Sequence, residues 1–152
     1  MKPQKESKSV VIETVTRIMI PFIQLFALYV VFHGSLGPGG GFQGGAIFAS
    51  SFILYGVAFH LFQARQRIPE STVTFLSPAG VGLYAGVGLL GLLFSLGAAQ
   101  YLNYGFIPFT SRFETNRALG IDLVEIGVAI TVMAIMISIF FDLAGGPKEG
   151  EG

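Results

Sequence analysis

Asp122 and Glu125 stand three residues apart inside a run, residues 119–141, that carries no other charge. On a helix that spacing sets both carboxylates on one face. Glu125 falls six residues into the run, about 9 Å of helical rise from its start. A carboxylate at that depth of an apolar segment is costly unless it is paired, hydrated or protonated. Those are the demands on a group that handles a proton or a cation, so Glu125 is the first candidate for ion handling, with pairing to a neighbouring subunit as the alternative. Asp122 lies closer to the start, where negative charge complements a helix N-terminus; that structural role is its leading reading and ion handling its second. His33 closes an earlier apolar run and is a candidate proton relay or an ordinary interfacial histidine. His60 poses the same choice near the far end of the following run, with the interfacial role leading. Asp142 sits at the C-terminal end of the last run, where the helix dipole disfavours an anion and a cationic partner is expected.

Other chemistries find no residues to carry them. The 152-residue chain has no cysteine, so it offers no thiol nucleophile, disulfide or cysteine-held cluster. The two histidines do not stand at metal-ligand spacing. Gly39-x-Gly41-x-x-Gly44 matches the dinucleotide fingerprint by letter, but that motif needs a strand before it and a βαβ unit around it; here an apolar run precedes it. No Gly-Lys-Ser/Thr and no H-E-x-x-H occurs. A net charge of zero gives no basic field for nucleic acid. The expectation is a protein that is no enzyme and holds no cofactor or metal.

The elements that must position the candidates are membrane helices. Hydrophobic residues make up 52% of the chain and charged ones 12%, about half the charge of a soluble domain, and mean hydropathy is +0.69. Charges cluster before residue 18, at 65–70, at 112–117 and after 147, leaving four apolar spans, about 14–32, 42–62, 78–99 and 119–141. Each is long enough to cross a bilayer. The predicted fold is all-α, a polytopic bundle of about four transmembrane helices, with a polar tail over 1–13, one membrane domain over 14–142 and a flexible tail over 143–152. The N-terminus lacks the small-x-small cleavage pattern of a signal peptide, so the first span is expected to be retained.

Between the first two spans lies His33-Gly34-Ser35-Leu36-Gly37-Pro38-Gly39-Gly40-Gly41-Phe42-Gln43-Gly44-Gly45. Unpartnered backbone is costly near hydrocarbon, and this loop reads as a close-packing turn built by Pro38, Gly39, Gly40, Gly41, Phe42, Gly44 and Gly45. Gly41, Gly45 and Ala49 recur every fourth residue and leave one helix face nearly bare for a neighbour. Gly82 and Gly86 form a G-x-x-x-G pair in the third span, extended by Gly88, Gly91 and Gly97. Pro21 kinks the first span by removing one donor, and Gln24 is expected to make an interhelical hydrogen bond. Aromatic and polar residues alternate through 100–118, which suits a segment lying at the headgroup level. Seven basic residues (Lys2, Lys5, Lys8, Arg17, Arg65, Arg67 and Lys148) fall on the side of the termini and two, Arg112 and Arg117, on the other. The positive-inside rule then puts both termini in the cytoplasm of a cell membrane and the glycine loop outside.

Pro21-Phe22-Ile23, Leu25 to Tyr29, His33-Gly34 and Pro38-Gly39-Gly40-Gly41-Phe42-Gln43-Gly44-Gly45 resemble the B subunit of Mrp-type sodium/proton antiporters. Asp122-Leu123-Val124-Glu125-Ile126-Gly127-Val128 is similar to a second hallmark of that family, an acid followed by an apolar residue and Gly-Val. The family commonly has aspartate where Glu125 stands, and Asp122 has no firm counterpart. The likeness covers roughly residues 15–141 and is weakest over 63–77 and 100–118. It implies a small non-catalytic membrane subunit, partnered by other membrane subunits and the lipid bilayer, that helps form the Na+- or H+-translocating part of the complex. Larger antiporter-like subunits would carry the main proton path. The resemblance also implies a second setting, since the same module recurs in archaeal membrane-bound hydrogenase and sulfur-reducing complexes. Beside these stand a purely structural scaffold within the same assembly and a small self-assembling channel. On this reading the glycine loop is signature and packing turn, and any ion chemistry is expected at Glu125.

Overall fold

A computed structural model describes residues 3–34, 40–95 and 101–145, with side chains described from residue 10. The described residues form five α-helices and one 3-10 turn, with no strand: α1 Pro3–Phe32, α2 Gly41–Phe59, α3 Leu61–Arg67, α4 Glu70–Phe94, a 3-10 turn at Tyr104–Phe106, and α5 Phe113–Gly145. The all-α class holds, and four of the helices are long and apolar enough to span a membrane. Large apolar residues point outward along them, with Phe22 62%, Val57 71% and Phe75 72% exposed. Such a surface belongs in lipid or against partner subunits.

Helix ends differ from the sequence reading for local reasons. Helix α1 already begins at Pro3, because proline is tolerated at the first helical position and the Lys, Gln and Glu that follow are good helix formers. It also runs unbroken through Pro21. The third span was expected to open at Pro78, yet α4 starts at Glu70 and carries Pro78 inside it. The N–H groups of Thr72 and Val73 donate to the Pro69 carbonyl at 3.0 and 3.3 Å, so Pro69 starts the helix. The second span stops three residues early, at Phe59, because His60 adopts φ 72° and ψ 146°, a conformation that only glycine takes without strain. The chain turns there into α3. Helix α5 starts at Phe113, six residues before the expected edge, so Glu125 lies about 18 Å of rise from its start, twice the depth read from sequence.

The long helices stand in a row in the order α1, α2, α5, α4, each packing on the next, with α1 touching α5 only lightly. Small residues set the spacing. A Cβ on Gly44 would lie 3.0 Å from the Ala27 carbonyl oxygen, and one on Gly45 would lie 2.9 Å from the Ala129 Cα. At the α4–α5 crossing, a Cβ on Gly127 would lie 2.8 Å from the Gly80 carbonyl oxygen and 3.1 Å from the Tyr84 nitrogen. The expected Gly41–Gly45–Ala49 face is thus used, against α5. Gly82 and Gly86 are not used within the chain: neither position has an atom within 4 Å of where a Cβ would sit. Gly80 takes that role, because it, and not the G-x-x-x-G pair, faces α5. Gly88 receives the Tyr101 ring, with the hydroxyl at 2.6 Å from a Cβ built there, and Gly91 lies against the Asn103 backbone. Gly97 lies outside the described residues.

Polar contacts fasten both ends of the row. Gln24 Nε2 donates to Ser51 Oγ at 3.2 Å, the expected α1–α2 hydrogen bond. At the α3 end, Arg65 pairs with Glu70 at 2.9 Å and donates from Nη2 to the Phe141 carbonyl at 3.0 Å. Arg67 sits 5.0 Å from the Tyr55 ring centroid and Arg17 5.2 Å from that of Phe59, while the two rings stack at 4.7 Å. Such cation–π contacts favour both arginines at a partly dry site.

At the opposite end Asn116, only 5% exposed, organises the segment before α5. Its Oδ1 accepts from the Thr110 amide at 2.7 Å and the Thr110 hydroxyl at 2.8 Å, and its Nδ2 donates to the Thr110 carbonyl at 3.0 Å. Nothing in the sequence flagged Asn116. Asn116→Ala removes these bonds to the Thr110 backbone and hydroxyl, a cost of about 0.5–1.5 kcal/mol for each bond lost. Amide exchange across residues 105–112 is expected to speed up by about tenfold or more, the equivalent of about 1.4 kcal/mol, with α1 and α2 protected as before.

Candidate functional site

Three elements meet at Glu125: the end of α1, the start of α2 and the first half of α5. Gly34, just past α1, lies so close that a Cβ there would fall on the Glu125 carboxylate. Gly40, at the far end of the glycine loop, would place its Cβ 2.6 Å from Glu125 Oε1, and one on Gly41 would lie 2.9 Å from the Glu125 carbonyl carbon. Gly40 also has φ 108°, a backbone geometry that side chains resist. The loop and the acid, read separately in the sequence, therefore form one place. Bare backbone at Gly34 and Gly40 is the cradle into which the carboxylate fits.

The cradle has electrostatic character. Helix α2 begins with Gly40 as N-cap and no side-chain cap, and its first bond to that residue is from the Gly44 amide, at 3.0 Å. The amides of Gly41, Phe42 and Gln43 thus have no acceptor within the helix, and the positive end of the α2 dipole stands at Glu125. Asp122, one turn earlier on α5, acts in the opposite sense. Two ionised carboxylates at i and i+3, about 6 Å apart, repel by roughly 3 kcal/mol at an effective dielectric constant near 20. Asp122 Oδ1 and Glu125 Oε2 are buried and have no hydrogen-bond partner, and among the described residues the ion pair formed is Arg65–Glu70, at the other end of the row. A proton on one carboxylate, or a cation between them, removes the repulsion and satisfies the free oxygens.

The remaining candidates are distributed around this point. His33 adjoins Gly34 in sequence, but its exposed ring stacks on Tyr29 at 5.2 Å, and no described hydrogen bond or ion pair ties it to either carboxylate. Arg117 is exposed and lines a polar bowl of about 580 Å³ with Tyr101 and Tyr104. The Tyr104 phenol is held above its ordinary range of 10.0, chiefly by burial and then by Tyr84 and Tyr101, so it stays neutral at physiological pH. Phe42 is 66% exposed. Pro38 and Gly39 lie outside the described residues. Asp142 lines a separate cavity with Glu70 near the opposite end of α5. Sequence reasoning missed Gly34 as a site residue and Thr131 as a crossing residue; the Thr131 hydroxyl lies 3.0 Å from the Gly127 carbonyl and 3.3 Å from that of Ser77. The glycine at 34 was visible, but its partner across the fold was not.

Comparisons with known proteins give the chain its relatives. Residues 11–138 match the family model described as a domain related to the MnhB subunit of Na+/H+ antiporter. The chain is 29% identical over 150 positions to the "Putative antiporter subunit mnhB2" of Staphylococcus aureus strain MRSA252, covering 93% of this chain and 98% of that protein. It is 31% identical, with the same coverage, to the proteins of that name from strains Newman and JH1. With most of its length matched by that model and full-length relatives at this identity, the chain belongs to the MnhB family of Na+/H+ antiporter membrane subunits.

Proposed function

We propose that the chain works inside a multi-subunit Mrp-type cation/proton antiporter, where the Asp122–Glu125 pair handles Na+ or H+ within the translocating part. The observation that carries this reading is the pair of buried carboxylate oxygens with no partner, held beside the glycine cradle and far from the Arg65–Glu70 ion pair. Among the described residues no group of three His, Cys, Asp or Glu converges. A Na+ bound here would therefore complete its shell with backbone carbonyls, water or groups of a neighbouring subunit. His33, near the mouth of the cradle, is the candidate relay to the aqueous phase. Both termini face the cytoplasm on this reading, which the excess of basic residues on the α3 side supports. A free-standing antiporter is favoured over a hydrogenase-type complex because the relatives are named as antiporter subunits.

The test is transport by the assembled complex in everted membrane vesicles. Glu125→Gln keeps the shape and removes the charge. It is expected to cut Na+/H+ exchange by tenfold or more while the subunit still co-purifies with the other membrane subunits. Unchanged exchange with intact assembly would sink the ion-handling role and leave the scaffold reading. A chain that purified alone and transported or conducted by itself would instead point to a self-assembling channel.

A further inference from the structure

One face of the helix row carries two adjoining apolar cavities, of about 260 and 250 Å³, that share Phe48 and Met133 as a common wall. Along α5 their lining runs from Ile137 to Ile126, about 16 Å of helical rise. That is close to half of the ~30 Å hydrocarbon core, the depth of one leaflet.

The slot is apolar along its length and cationic at one end. Arg67 lines the first cavity beside Pro69 and Thr72, its guanidinium held over the Tyr55 ring. No described carboxylate pairs with it: Glu70 is taken by Arg65, and Asp142 lines a different cavity. The N-terminus of α4 opens at the same place, with Pro69 as N-cap and no side-chain cap, so the amides of Glu70 and Ser71 add positive potential there. This end belongs to the α3 side, where most of the basic residues gather, at the level of the headgroups.

We infer that this groove holds one acyl chain of an anionic phospholipid whose phosphate is bound by Arg67. The charge and the slot length each select a feature of that ligand. A neutral lipid lacks the phosphate's uncompensated charge, and a free phosphate lacks the chain.

The experiment uses the assembled complex, reconstituted in nanodiscs of phosphatidylglycerol and phosphatidylethanolamine and then stripped with mild detergent. Native mass spectrometry of the released subunit counts the phosphatidylglycerol it retains. Wild type and Arg67→Lys are expected to keep one molecule per chain, and Arg67→Gln to lose it at least fivefold. Arg17→Gln, which removes an equal charge from a residue outside the groove, is expected to keep it. Thr72→Trp, which closes the mouth, is expected to lose it with Arg67 intact. Retention by Arg67→Gln equal to wild type, equal loss in Arg17→Gln, or a neighbouring subunit captured by a photo-crosslinker at Phe48 would each overturn the assignment. Transport by the Glu125 site is not read in this assay, so its failure leaves that proposal standing.

Discussion

Gly34→Ala is expected to abolish most ion exchange while leaving the protein folded. The new methyl group would occupy the place of the Glu125 carboxylate. That carboxylate is the far end of a flexible side chain, so it can swing to another rotamer at about 1 kcal/mol. The backbone around it does not have to move, since Gly34 does not adopt a positive φ. Stability therefore changes little and position changes much. Misplacing a reacting group by about 1 Å can cost on the order of a hundredfold in rate. Everted vesicles are expected to show exchange reduced by tenfold to a hundredfold, with normal amounts of the assembled complex. Glu125→Asp in the same chain shortens the acid by one methylene and makes room for the methyl. The double variant is expected to recover part of the loss, and the coupling is read as a double-mutant cycle. No coupling between positions 34 and 125 would mean that the cradle has no part in placing the acid. Gly40→Ala is a harsher change, because it adds strain at φ 108° to the contact with Oε1, and should lower stability as well.

The second large effect lies in the α4–α5 crossing. Gly127→Leu drives a side chain into the Gly80 carbonyl and the Tyr84 amide nitrogen, 2.8 and 3.1 Å from the position of the new Cβ. Both are backbone atoms of a helix, and neither can turn aside as a side chain can. The helices must separate, and the cost is expected to be on the order of 3 kcal/mol or more. Because α4 packs mainly on α5, separation there frees one edge of the row. The expected result is a steep fall in the level of the membrane-inserted protein and in the melting temperature of what remains. Gly82→Ala is the control: the position has open space within the chain, and alanine gains helix propensity by up to about 1 kcal/mol. If Gly127→Leu were tolerated as well as Gly82→Ala, the close crossing would be wrong.

The apolar character and the number of long, membrane-length helices were written in the residues themselves. Four apolar runs separated by charge leave little choice of fold class, because hydrocarbon admits only backbone that pairs with itself. The glycine loop and the Asp122–Glu125 pair were likewise visible, since both break the pattern around them. Helix edges were less legible. Pro78 looked like a start and is internal, because Pro69 already starts the helix, and His60, read for its side chain, ends α2 through its backbone conformation. Gly82 and Gly86 match a packing motif, while Gly80 does the packing. The motif specifies a bare surface, and only the rotation of α4 in the row decides which bare surface meets α5. The same limit applied to the site. Sequence identified an acid that needs a partner and a loop that needs a reason, and placed them 80 residues or more apart. Tertiary structure made them one: α2 and α5 run side by side in the same direction, which brings Gly34 and Gly40 onto the Glu125 carboxylate. Such proximity depends on the order of helices in the row, and a linear chain encodes that order through many weak contacts of small residues, with no single motif to announce it.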